Sequence, residues 1–182
     1  APALVRIRES TDRGALVPPD PTLRVRLAVP SDASAIVEFV RGLARFEDEP
    51  VEHVRLTEAD VLRDGFGARP AFEVVIAERL REGVTIPVGF ALFFPNYSTW
   101  EGRPGLYIED LFVIDAERGS GVGRAILAAV AQIAWQRGAA RLDLAVLDWN
   151  PARGFYERMG FRWIRNWLPY RLSGEALAKL AG

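Results

Sequence analysis

The chain of 182 residues carries 23 Lys and Arg against 24 Asp and Glu, with one histidine and no cysteine. A net charge of −1 gives no basic surplus for a nucleic-acid surface, and the lack of cysteine excludes a thiol nucleophile, a disulfide frame and a Cys-type zinc site. The 49% hydrophobic content suffices for a core, no apolar run approaches the ~20 residues of a membrane span, and the opening residues lack a signal peptide's apolar stretch, so a cytoplasmic protein is expected.

Residues 1–22 show little periodicity, and "TDRGALVPPDPT" is rich in proline. A flexible arm is expected there, ahead of a single domain over 23–182. "LRVRLAV" (23–29) alternates apolar and basic residues, the pattern of a half-buried strand. "PSDASAIVEFVRGLARFE" predicts a helix with Ser31 as N-cap and an apolar stripe of Ile36, Val37, Val40, Leu43 and Ala44. A shorter helix follows in "TEADVLRDGFG", where Thr57 and Asp60 have capping-box spacing and Gly65 or Gly67 ends it.

"AFEVVIAER" (71–79) and "IPVGFALFFP" (86–95) predict a hairpin that turns near Glu82 and Gly83. "GLYIEDLFVI" (105–114) is a third apolar run. The Gly-rich turn "ERGSGVGRA" leads into a helix over 121–137, stopped by Gly138. "RLDLAVL" (141–147) alternates as a strand. In "NPARGFYERMG" Asn150 caps a short helix, Pro151 takes its first position and Gly160 closes it. "FRWIRNWLPYRL" predicts one or two closing strands broken near Pro169, and Ser173 caps a last short helix.

The strand–helix–strand run over 105–147 requires two parallel strands joined by a crossover, while the neighbouring strands are hairpins. The expected fold class is α/β (a mixed α+β sheet), mostly antiparallel, with one parallel pair and helices on both faces.

A Gly-rich turn between a strand and a helix N-terminus presents unpaired backbone N–H groups at the positive end of the helix dipole, which suits phosphate. The dinucleotide fingerprint fails because Arg124 stands where its third glycine is needed. The P-loop fails for want of Lys-Ser/Thr. What stands there is R-x-x-G-x-G, from Arg118 to Gly123. This resembles the acetyl-CoA pyrophosphate loop of the GNAT superfamily of N-acetyltransferases. With the downstream "FYERMGF", the resemblance covers roughly residues 23 to 172. It implies a GNAT-type acyl-CoA N-acyltransferase fold whose parallel strands splay at their C-terminal ends. It implies acetyl-CoA as co-substrate and no metal. The backbone of Leu111, Phe112 and Val113 is expected to hold the pantetheine arm. Arg118, Gly119, Ser120, Gly121, Val122, Gly123 and Arg124 are expected at the pyrophosphate, with Asn150 and Arg158 as further CoA contacts.

"LARFE", "LTEADVLRDGFG", "YSTWEGRPGLYIEDLFV" and "VLDWNPARGFYERMGF" resemble the diamine/spermidine N-acetyltransferases. "YSTW" with "LYIEDLFV" looks most like the branch that acetylates thialysine and related lysine-like amines. Phe46-Glu47 stands where that group often has Tyr-Glu. The resemblance implies direct transfer to the primary amine of a small cationic substrate (a polyamine, a diamine or a lysine-like amine) by a homodimer. The alternatives are a peptide or antibiotic acceptor on the same scaffold, or a non-catalytic acyl-CoA-binding module. Neither nucleic acid nor membrane is an expected partner.

Transfer to an amine needs a neutral nucleophile, a base, a holder for the oxyanion and an acid for the departing thiolate. By resemblance Tyr156 is the expected acid and Glu109 the expected base, acting through a water. Glu109 and Asp110 interrupt an apolar strand, where alternation sends neighbours to opposite faces and a bulge would re-aim one of them. Burial beside a second carboxylate would raise the pKa of one. Glu47 lies in "FEDEP" at a helix C-terminus, where negative charge is unfavourable. Glu47, Asp110 and Trp100 are the expected substrate-binding residues, Trp100 by stacking on a cation. His53 reads as a surface residue.

Overall fold

The computed structural model describes residues 20–182. The arm expected over 1–22 therefore lies outside the described residues except for its last three positions. The chain divides into two compact units, one up to residue 145 and one over Val146–Gly182.

In the first unit the apolar alternation forms a five-stranded sheet in the order β1-β2-β3-β4-β5. The strands are β1 (Leu23–Leu27), β2 (Glu73–Arg81), β3 (Val84–Ser98), β4 (Arg103–Val113) and β5 (Leu142–Leu144). The first four pair antiparallel and β5 pairs parallel with β4, which is the mixed sheet expected. Glu82 and Gly83, both at positive φ, make the tight β2–β3 turn.

Helix α1 (Ala33–Phe46) buries Ile36, Val37 and Phe39 against Val74, Ile76, Phe90, Leu92 and Phe112 of one sheet face. The Phe39 and Phe90 rings stack with centroids 5.4 Å apart. Ser31 does not cap this helix. It lies exposed within a 3-10 turn over Pro30–Asp32, and Asp32 is the N-cap residue. The Asp32 carboxylate accepts from the Val29 N–H at 2.7 Å and from both terminal nitrogens of Arg26 at 2.6 and 2.9 Å. That carboxylate makes no bond to the helix's own first amides, so Asp32 marks the start of α1 without capping it by its side chain. Helix α2 (Glu58–Phe66) opens with the expected capping box between Thr57 and Asp60.

Helix α3 (Val122–Gln136) covers the other face, where Ile126 packs at Gly89. Gly89 marks a close approach of backbones. A methyl carbon there would lie 2.7 Å from the Phe112 carbonyl oxygen and 3.1 Å from Ile126 Cδ1. Backbone cannot yield as a side-chain tip does, so Gly89→Ala should cost about 1–3 kcal/mol. Urea unfolding would show a lower midpoint at unchanged slope.

The second unit holds α4 (Ala152–Arg158) and α5 (Gly174–Ala181). Asn150 stands one position further from α4 than expected, because Pro151 takes the N-cap place. Its side chain still serves the helix start, with Oδ1 accepting from the Ala152 N–H at 2.8 Å. Gly160, at φ 94°, closes the helix. No strand forms over 161–172. A strand needs an edge to pair with, and here Asn166 at φ 69° and Pro169 interrupt the run. Among the described residues no helix is long and apolar enough to cross a membrane.

Candidate active site

The site is built on a fault in β4. Leu92 of β3 stands opposite Asp110 and the next residue, Phe93, stands opposite Ile108, so Glu109 is the extra residue of a β-bulge. Directly opposed residues share a face. Tyr107, opposite Phe94, Asp110, opposite Leu92, and Phe112, opposite Phe90, therefore all look toward the α1 layer. Unbroken alternation would have put Glu109 there instead. The bulge leaves Glu109 exposed and turns Asp110 inward, partly buried.

Asp110 meets a second acidic group there. Burial pushes its carboxyl up to about 6, and the charges of Glu109 and Glu47 push the same way. Glu47, half-buried just past the end of α1, is raised by its own burial and by Glu49. The next residue, Asp48, adopts φ 56°, a left-handed turn that folds the acidic loop back after the helix. Glu47, Glu109 and Asp110 thus act as one electrostatic group, the first two charges both disfavouring ionisation of the third. His53 is exposed and its Nδ1 lies 3.2 Å from Glu49, outside that group.

Beyond the bulge β4 loses its parallel neighbour. β5 pairs only alongside Leu106, Tyr107 and Ile108, while β4 runs on to Val113. The stretch Leu111–Phe112–Val113 therefore borders β3 on one side and has no strand on the other within this unit. Ligands of open α/β sheets settle at such carboxyl ends. A cavity of about 480 Å³ opens at this end, between Phe39, Gly42 and Phe46 of α1 and Phe112, Ile114 and Asp115.

The Gly-rich turn follows. Gly119 and Gly121 sit at φ 77° and 91°, with open space where a Cβ would project. The ladder of α3 begins with the Ala125 N–H on the Gly121 carbonyl at 3.0 Å, so the amides of Val122, Gly123 and Arg124 precede it. Gly121, the N-cap residue, has no side chain with which to cap them. These amides and the open glycines fit a pyrophosphate.

Arg118, expected at the pyrophosphate, also has partners of its own within the chain. Its Nε donates to the Val113 carbonyl at 3.2 Å and its Nη2 pairs with Asp115 at 2.8 Å. Its guanidinium lies over the rings of Phe46, at 4.3 Å, and Phe112, at 5.6 Å. The side chain thus ties the loop to β4 and α1.

Sequence reasoning missed the base of the same loop. Glu117 is buried, its carboxylate accepts from Arg79 Nη2 at 2.7 Å and Nε at 3.2 Å and from Arg81, and the Ser120 hydroxyl lies 3.1 Å from it. Buried Arg79 also binds Asp20 and Thr22. The available signal was "AERLR", which puts Arg79 and Arg81 on the same face of β2 as the buried Ala77.

Within the second unit Tyr156 is half-buried on α4, its ring 5.2 Å from Phe155 and 5.8 Å from Phe161. Asn150 is buried and Arg158 exposed. Trp100, 91% exposed, sits in the β3–β4 turn. The length of β4 from Arg103 to the bulge separates it from Asp110 by roughly 20 Å, so the described chain does not bring it to the acidic group.

Comparison with known proteins identifies a family and relatives. The family model described as "Acetyltransferase (GNAT) family" matches residues 36–161. The chain is 37% identical over 167 residues to a thialysine N-epsilon-acetyltransferase of Mus musculus, covering 87% of this chain and 97% of the relative. It is 40% identical over 109 residues to an L-ornithine N5-acetyltransferase of Arabidopsis thaliana, covering 59% of this chain and 47% of that one. Among solved structures, an integron cassette protein from the mobile metagenome of V. cholerae matches with a TM-score of 0.70 at 25% identity, covering 88% of this chain and 98% of the other.

Proposed function

The chain belongs to the acetyltransferase (GNAT) family, and on that footing we propose an acetyl-CoA-dependent N-acetyltransferase whose acceptor is the primary amine of a small cation: a polyamine, a diamine or a lysine-like amine such as thialysine. The observation that carries this reading is the acidic group at the bulge. Burial and two neighbouring carboxylates all raise Asp110. An arriving ammonium offsets that crowding of negative charge. Two relatives are named for thialysine and L-ornithine, molecules with two amines each.

Acetyl-CoA supplies the activated thioester carbonyl. The amides over 119–124 bind its pyrophosphate, Leu111, Phe112 and Val113 orient the pantetheine arm, and Asn150 and Arg158 add contacts. Asp110 and Glu47 grip the distal ammonium of the acceptor. Glu109, exposed at the bulge, takes the proton of the attacking amine through water. Tyr156 gives a proton to the departing sulfur. No covalent enzyme intermediate is needed, in keeping with a chain that has no cysteine.

The test is thiol release from acetyl-CoA with thialysine, lysine, ornithine, spermidine, putrescine, aminoglycosides and peptide N-termini as acceptors. Turnover is expected with the small diamines and diamino acids. CoA binding without turnover of any amine would sink the enzymatic reading, and a preference for peptides or aminoglycosides would sink the acceptor assignment. The reading includes a homodimer. Trp163, Trp167, Leu168 and Tyr170 are 70–92% exposed, more neighbouring apolar surface than a monomer usually leaves in water. Sedimentation should give twice the mass of one chain, and a monomer at micromolar concentration would refute the dimer.

A further inference from the structure

The pyrophosphate loop needs something to hold its first half still. Gly119 and Gly121 bring conformational freedom with them. The one side chain between them is Ser120, and its hydroxyl is engaged inward. It donates to the Glu117 backbone carbonyl at 2.7 Å and lies 3.1 Å from the Glu117 carboxylate and 3.3 Å from Arg79 Nη2. Glu117 is only 4% exposed and Arg79 7%. Arg79 reaches Glu117 from near the end of β2, and Arg81 binds the other carboxylate oxygen.

Two cations and the two anions Glu117 and Asp20 balance within the cluster. Such a cluster adds little attraction of its own for a phosphate, because its charge sums to zero. What it adds is position. A buried, doubly hydrogen-bonded arginine–carboxylate pair is geometrically rigid. It lies directly ahead of the amides that meet the ligand.

We infer that Glu117, clamped by Arg79 and Arg81, is the positioning residue of the donor loop: it fixes Ser120, and through Ser120 the amides that receive the donor's pyrophosphate. The inference rests on the acetyl-CoA reading above. It gives Ser120 a tethering role in place of direct phosphate contact. It also makes the cluster a determinant of donor choice, since only donors that carry a pyrophosphate benefit from it. The arginine pairing keeps the Glu117 carboxyl below the usual range, so it stays ionised at neutral pH.

The test needs no acceptor. Affinity for CoA is measured by calorimetry, and affinity for pantetheine, which lacks the pyrophosphate, by its competition with CoA. The proteins are the wild-type chain and its Glu117→Gln, Glu117→Ala and Ser120→Ala variants. Glu117→Ala should weaken CoA about tenfold or more, with pantetheine unchanged. Glu117→Gln, which keeps the shape and most of the hydrogen bonds, should recover part of the loss. Should Glu117→Ala fail to fold, Ser120→Ala leaves the buried ion pair whole and should still weaken CoA about threefold to tenfold. Equal weakening of CoA and pantetheine, or unchanged CoA affinity in the folded variants, overturns the inference. A wild-type chain that does not bind CoA overturns the donor reading itself, a separate and recognisable result.

Discussion

Tyr156→Phe lowers turnover by about 10²–10⁴-fold, the range for loss of a general acid, while the chain stays folded and the amine KM hardly moves. The Tyr156 ring contacts with Phe155 and Phe161 are aromatic, and phenylalanine keeps them. Only the hydroxyl is lost, and a melting curve measured beside the rate separates its contribution to stability from its part in turnover. Turnover within a factor of two of wild type would remove Tyr156 from the reaction.

Asp110→Asn is expected to do two opposite things. It should raise the amine KM about tenfold or more, since a charge-assisted contact to the distal ammonium is lost. It should also make the protein more stable at neutral pH. The sign follows from the carboxyl being raised to about 6 from 3.8. Between these values the folded chain holds a proton that the unfolded chain has released, so stability falls as pH climbs through that window. Above it the cost of an ionised, crowded carboxylate is present in full. At about 1.4 kcal/mol per pKa unit, the variant gains about 3 kcal/mol at pH 7 and nothing near pH 3.5. Denaturation at the two pH values checks this, and parallel profiles for wild type and variant would refute it. A bound ammonium pulls Asp110 back toward ionisation, so amine binding near pH 6 should release protons, and affinity should weaken below pH 6. Calorimetry in buffers of different ionisation enthalpy reads that release.

What was legible in the sequence was what local chemistry decides. The Thr57–Asp60 capping box lies within one helical turn and forms as expected. The hairpins follow from alternation and turn residues. The paired carboxylates in an apolar strand pointed to a bulge, and the bulge is there. Which of the two faces the α1 layer depends on the register against Leu92 and Phe93, and no pattern within β4 contains that information. Ser31 lost its place to Asp32 because a 3-10 turn over Pro30–Asp32 precedes the helix and moves its start to Ala33. The Arg79–Glu117 pair joins residues 38 apart in sequence, beyond the reach of any motif. The expected strands over 161–172 failed for a related reason: a strand is stable only where an edge accepts it, and hydropathy does not reveal the edge.

The bulge in β4 works as a phase shift written into the chain's length. Upstream of Glu109 one set of side chains serves the α1 layer, and downstream the complementary set does. Asp110 in the acidic group, Phe112 against Phe39 and the aromatic seat for Arg118 all inherit their orientation from one additional residue. Single substitutions can tune any of these alone. Removing Glu109, or adding a residue beside it, would reassign them together, exchanging wall for interior along the rest of the strand. The acidic group and the seat of Arg118 are therefore coupled by a count of residues, and the bulge should tolerate changes of side chain far better than changes of length.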